Sequence, residues 1–207
     1  MTHMKKYTFL MLLSIFTALG CDAITADKIL ANAASKFSKA GSVSATYTFS
    51  SKGGARSRGT IKVKGKQFRI ETPQVMVCYN GTSQWEYLPA SKQCTVTSPT
   101  YQETAQINPY AILSTYKSTY KATTVKSSIK GTYAVRLTPV SGHSPISKAT
   151  LYIKASDWQP ARLDILDRNG NLTTILITGI TLGANIPDSN FTFSRKNHQD
   201  VELIDLR

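Results

Sequence analysis

Catalysis needs nucleophiles, acids, bases or metal ligands at workable spacings, and this chain of 207 residues offers few. Setting aside an N-terminal leader, two histidines remain, His143 in "SGHSP" and His198 in "KNHQD". Neither has an Asp, Glu or Cys at the spacing of a zinc site or a Ser-His-Asp triad, so both read as exposed loop histidines. Asp164 and Asp167 fall on alternate faces near a turn, which suits contact with water better than paired acid and base work. The sequons at Asn80, Asn171 and Asn190 need no sugar, since an Asn-Gly hairpin explains the first and chance the others. No catalytic residue, metal ligand or cofactor site is expected. A hydrolase of acyl or glycan substrates would have to depend on His143 or His198.

Cys78 and Cys94 could form a disulfide in an oxidising compartment. In a meander of strands over 75–79, 83–88 and 92–96, however, they sit two strands apart, roughly 9.5 Å, whereas a disulfide needs Cα atoms within about 7 Å. The expectation is two unpaired, buried thiols.

The elements that would position these residues are almost all strands. Apolar and polar residues alternate in runs at roughly 43–50, 57–64, 67–72, 75–79, 83–88, 92–97, 122–128, 132–138, 147–154, 161–167 and 171–178, separated by turn signals such as "KGK", "YNGT", "IKGT" and "DRNGN". The tail adds two strand-like pieces, "NFTF" and "VELIDL", as the closing edge of the sheet. One helix opens the chain at about 26–39, with Thr25 as N-cap, Gly41 as stop, and Ile29, Leu30, Ala33, Ala34 and Phe37 on one face. A long interruption at 99–121 contains "INPYAIL", where Asn108 and Pro109 start a short apolar helix carrying Ile112 and Leu113.

Ahead of these lies "MKKYTFLMLLSIFTALG", with Lys5 and Lys6 before an apolar run too short to span a membrane. It reads as a signal peptide over 1–20, with cleavage as late as 26, followed by a single domain over 21–207. Cys21 after "ALG" either carries a lipid anchor or is discarded; both outcomes place the mature chain outside the cytoplasm, in the periplasm. Lys and Arg number 25 against 12 Asp and Glu, a net charge of +13 that falls to about +11 with Lys5 and Lys6 gone. The basic residues do not run together, and secretion argues against nucleic acid, so they read mainly as solvated strand faces, with attraction to acidic groups second.

About ten strands of about five residues give a sheet of roughly 48 by 17 Å, near 800 Å² per face. Helices of about 14 and 9 residues, each roughly 10 Å wide, cover roughly 210 and 135 Å² of it. A two-sheet sandwich or a closed barrel filled by its own aromatics would remove the deficit. The run of short hairpins favours a mainly β (α+β) fold instead, one strongly curved antiparallel sheet with a helical lid around an apolar cavity. The expected lining is Ile61, Val63, Phe68, Ile70 and Val77, then Trp85, Tyr87 and Val96, and from the second half Leu137, Leu151, Ile153, Leu163, Ile165, Ile175 and Ile177. The expected lid is Ile29, Leu30, Ala33 and Phe37 with Pro109, Ile112 and Leu113.

The strand pair "RGTIKVKGKQFRIETP", the hairpin "NGTSQWEY" and the ending "NFTFSRKNHQDVELIDL" occur in that order, and with them the chain resembles the periplasmic outer-membrane lipoprotein carriers of LolA type. The resemblance implies an open half-barrel that holds lipoprotein acyl chains, receives them from an inner-membrane ABC export complex and releases them to an outer-membrane acceptor, as a monomer without catalysis. The runner-up is a membrane-tethered lipid or hydrophobic-signal sensor of the same fold. Well-known carriers have an Arg-Pro pair after the strand matching "IKVK", and that Arg ties sheet to lid. Here Gly65, Lys66 and Gln67 follow, one residue fewer, so any replacement latch falls to Lys66 or Arg69.

Overall fold

The computed structural model describes residues 24–51, 54, 56–100, 103–104 and 116–207. The expected signal peptide, Cys21, and the "INPYAIL" segment with Pro109, Ile112 and Leu113 lie outside the described residues.

Helix α1 (Ala26–Ala40) starts where Thr25 accepts from the Lys28 backbone N–H at 3.3 Å and ends at Gly41, whose N–H reaches the Ser38 carbonyl. The two caps satisfy backbone groups that a helix end leaves open. Its 3.6-residue period buries Ala26, Ile29, Leu30, Ala33 and Phe37 on one side.

Among the described residues twelve strands follow: β1 (Ser42–Ser51), β2 (Ser57–Lys64), β3 (Gln67–Glu71), β4 (Met76–Tyr79), β5 (Gln84–Leu88), β6 (Gln93–Thr97), β7 (Tyr120–Val125), β8 (Thr132–Pro139), β9 (Ile146–Lys154), β10 (Pro160–Asp167), β11 (Leu172–Leu182) and β12 (Glu202–Asp205). All belong to one sheet, ordered β12-β6-β5-β4-β3-β2-β1-β11-β10-β9-β8-β7. Two meanders, β1 to β6 and β7 to β11, are joined edge to edge by the antiparallel pairing of β1 with β11. The ends of the order, β12 and β7, leave the sheet open, so neither a sandwich nor a closed barrel forms. The β2–β3 turn has two residues, and Gly65 at φ +57° adopts there the left-handed conformation that only glycine takes at no steric cost.

Three features differ from the sequence reading. β7 begins earlier and β11 runs further, to Leu182, with a bulge opposite Thr46 and Tyr47. "NFTF" is not a strand; Asp188–Phe191 is a 3-10 turn. β12 pairs with β6 in parallel, because the chain crosses one face of the sheet between β11 and β12 and arrives beside β6 running the same way.

Two clusters of buried residues lie on the face that carries α1. Ala26, Ile29, Leu30 and Ala33 of the helix pack with Tyr116, Val135, Leu137, Ala149 and Ile153 over β8 and β9. A second cluster on the same face, Ala45, Ile61, Val63, Phe68, Val77 and Tyr79, covers β1 to β4.

Candidate functional site

Strand register shows which expected lining residues share a face. Val43 pairs with Val63, Ala45 with Ile61, Val63 with Phe68, Ile61 with Ile70 and Ile70 with Val77. Through β1 and β11 the same face continues to Ile175 and Ile177, then to Leu163 and Ile165, Leu151 and Ile153, and Leu137. Residues drawn from both halves of the sequence therefore form one apolar surface on the face that carries α1.

Trp85, Tyr87 and Val96 do not join it. Cys78 pairs with Trp85 and Trp85 with Val96, whereas Val77 is opposite Glu86, so these three side chains project from the other face. Of the expected lid, Ile29, Leu30, Ala33 and Phe37 are buried against the sheet side of α1.

Between the two buried clusters on the α1 face runs a strip that is only half-buried: Tyr47 and Phe49 of β1, Ile175 and Ile177 of β11, Leu163 and Ile165 of β10, and Leu151 of β9. Tyr47 and Phe49 were not anticipated, although the alternation Val43, Ala45, Tyr47, Phe49 carries the signal. Tyr47 lies across Gly59 so closely that a β-carbon there would collide with its ring. Burial pushes the Tyr47 hydroxyl pKa up, and its ring packs 6.2 Å from that of Phe49. The strip presents aliphatic and aromatic side chains, a surface suited to hydrocarbon rather than to charged or hydrogen-bonding ligands. At its α1 end, Tyr116 donates to Asp27 at 2.6 Å, tying the start of the helix to the chain entering β7. Burial and that carboxylate push the Tyr116 pKa up to about 12.

The opposite face of β2 to β6 is closed by the chain between β11 and β12, residues 183–201, lying across it as a strap. Asn190 sits over one cross-strand row: its side-chain oxygen accepts from Lys62 at 2.8 Å, and its carbonyl accepts from Arg69 at 3.3 Å and from the Cys78 thiol at 3.9 Å. Lys64 pairs with Asp188 at 2.8 Å. Phe191 is fully buried, with Ile186 and Val201 nearly so, and Phe193 and His198 stack on each other and beside Tyr87. His198 is thus part of an aromatic packing group. Arg69 forks onto Glu71 and holds that carboxyl below its usual range. Arg69 latches the strap, not the helix-bearing side, and Lys66 is exposed at its turn. Cys78 and Cys94 are unpaired and buried two strands apart on the strap side, and burial pushes both thiols up to about 11. Among the described residues, no three His, Cys, Asp or Glu side chains gather as a metal site would need. His143 lies in an exposed turn whose backbone carbonyls at Gly142 and Ser144 accept from Arg168.

An uncharacterized conserved protein from Thermus thermophilus shares the fold at TM-score 0.59 with 13% identity, over 87% of this chain and 98% of that one. A LolA superfamily protein of Nitrosomonas europaea aligns at TM-score 0.44 with 15% identity, over 83% of this chain and 99% of that one. No curated protein sequence matches the chain. The model of the family described as outer membrane lipoprotein carrier protein LolA matches residues 13–170, which take in α1, β1 to β10 and the turn before β11. That span is most of the sequence, and the chain belongs to this LolA family.

Proposed function

We propose that the protein is a non-enzymatic periplasmic carrier that shelters the acyl chains of lipoproteins. The observation that carries this reading is the half-buried strip from Tyr47 through Ile177 and Leu163 to Leu151, on the face that α1 covers only at one end. An open sheet of this many strands curls as it twists, which would turn the strip into the floor of an apolar cavity. In this role the protein takes cargo from an inner-membrane ABC lipoprotein export complex and passes it to an outer-membrane acceptor.

Burying each methylene contributes about 0.8 kcal/mol, so affinity for a series of acyl chains should rise about fourfold per carbon until the strip is filled, then level off. Titration of fluorescent acyl chains of increasing length measures this. Replacing Ile177 with Asp should abolish the length dependence while the far-ultraviolet circular dichroism stays that of the native sheet, since a charge in the floor must be desolvated by any chain lying on it. Affinity independent of length, or unchanged in Ile177→Asp, overturns the reading. Native mass spectrometry of protein taken from the periplasm should show lipid or lipoprotein adducts.

A further inference from the structure

The face turned away from α1 is covered by the strap over β2 to β6; over β7 to β11, among the described residues, no such layer lies on it, and Ala134 and Tyr152 there are buried by their neighbours, with Arg162 over the Tyr152 ring. The register fixes what stands there. Lys121 and Thr123 of β7, Arg136 of β8, Lys148 and Thr150 of β9, and Leu166 of β10 project from this face, with Leu172 and Leu176 of β11. Lys121, Arg136 and Lys148 are exposed, and Arg58 of β2, also exposed, lies beyond Leu176 across Thr48. Leu172 and Leu176 are 40% and 43% exposed, and Val140, where β8 leaves the sheet beside Lys121, is 66% exposed.

The acidic groups here are already engaged. Asp164 accepts from Arg162 at 2.7 Å and from Thr174 at 2.9 Å, and Asp167, the last residue of β10 at the rim, accepts from the backbone and side chain of Asn171. Among the described residues, Lys121, Arg136 and Lys148 have no carboxylate partner on the face. They lie on three consecutive strands, so the outer pair is about 10 Å apart, within about one Debye length at 0.1 M salt. Together they act on a target as one positive patch.

From this arrangement we infer that the β7–β11 face docks on an anionic phospholipid bilayer. Positive charge alone would fit any acidic partner. Exposed leucines beside it favour a membrane, because cations meet acidic headgroups while Leu172, Leu176 and Val140 enter the boundary between headgroups and acyl chains. The face is distinct from the apolar strip, which lies on the opposite side of the same strands. Docking therefore stands apart from acyl-chain carriage and is measured separately.

The test is co-sedimentation of the full protein with vesicles of phosphatidylcholine alone or mixed with phosphatidylglycerol, at low and high salt. Binding is expected only to the anionic vesicles and to fall as salt rises. A Lys or Arg near such a surface changes binding about fivefold, so Lys121→Glu, Arg136→Glu and Lys148→Glu together should weaken it at least a hundredfold. Lys36→Glu, Lys39→Glu and Lys66→Glu, which change net charge equally away from the face, should leave it within about fivefold. Leu172→Ser with Leu176→Ser should remove the part of binding that survives high salt. Acyl-chain affinity, read by the fluorescent series, should be the same in all three variants, which separates failure here from failure of the carrier reading. The inference is overturned by absence of binding to anionic vesicles, by equal loss in both charge variants, or by retention of polyglutamate without retention of vesicles.

Discussion

Phe191 is the test of whether the strap is part of the fold or a tail resting on it. The ring is fully buried between the Asn190 contacts and the sheet, so Phe191→Ala removes the whole of its packing. Truncating a buried phenylalanine costs about 3–5 kcal/mol, against a total of about 5–15 kcal/mol for a typical domain. With a urea m value of about 2 kcal/mol/M, the unfolding midpoint should fall by about 2 M if strap and sheet unfold together.

Two tryptophans report on the two sides. Trp85 lies on the strap side of β5, and Trp158 stacks on Tyr133 at 5.5 Å beside the α1 cluster. Versions retaining one tryptophan each, made with Trp85→Phe and Trp158→Phe, allow both sides to be followed in the Phe191→Ala background. Coincident transitions shifted by about 2 M mean that the strap is an integral layer. An early Trp85 transition with Trp158 unmoved means that it undocks as a separate unit of lower stability. A loss below about 1 kcal/mol by both probes would refute the assignment of Phe191 as its anchor.

Further outcomes follow from the same contacts. Cys78 and Cys94, buried and raised to about 11, should resist a thiol reagent at pH 8 until denaturant is added, and Phe191→Ala should speed labelling of Cys78, which is bonded to the strap. Because the Tyr116 pKa lies at about 12 against a reference of about 10, the folded state holds its proton longer; stability should drop between those pH values in alkaline denaturation, and less so in Tyr116→Phe. Glu71 has the opposite sign: its depressed pKa contributes stability above the unfolded value near 4.3 that is lost as pH falls through the folded one, so Arg69→Gln should flatten the acid limb of the unfolding curve. Gly59→Ala should cost about 1–3 kcal/mol in thermal unfolding by displacing the Tyr47 ring, and much less in a Tyr47→Ala background; equal costs in both would show that the ring is not what the β-carbon meets.

Much of the architecture was legible because it depends on local signals. Thr25, Gly41 and the spacing of Ile29, Leu30, Ala33 and Phe37 determine α1 within the chain segment itself, and alternation marks each strand. The assignment of faces depended on pairing. In an antiparallel hairpin with an even number of connecting residues, odd positions of one strand share a face with even positions of the next. Tyr79 pairs with Gln84 across four residues, so Val77 goes with Glu86 and never with Trp85. A two-residue Asn-Gly turn would have given the same parity, which means the separation of Trp85 and Tyr87 from Val77 could have been read from the turn. The strap could not be read this way. "NFTF" alternates as a strand would, but Lys62, Arg69 and Cys78, which hold Asn190, lie more than a hundred residues earlier in the chain.

The two covers stand diagonally across the sheet. Helix α1 shields one face over β7 to β9, and the strap shields the other face over β2 to β6. Each meander thus has a non-strand layer on one side, and the layers differ because the apolar residues of β5 and β6 point the other way from those of β8 and β9. At the junction, β1 and β11 carry Tyr47, Phe49, Ile175 and Ile177 half-buried beneath neither layer's centre. On the proposed function, an acyl chain lying along that junction would touch residues that anchor neither cover, and its entry would call for displacement of side chains rather than loss of a layer. Loosening the strap by Phe191→Ala should therefore lower stability while leaving the chain-length dependence of acyl binding measured below the unfolding transition unchanged. If the length dependence disappears with the strap still docked at Trp85, the two sides of the sheet are coupled, and the junction is not an independent site.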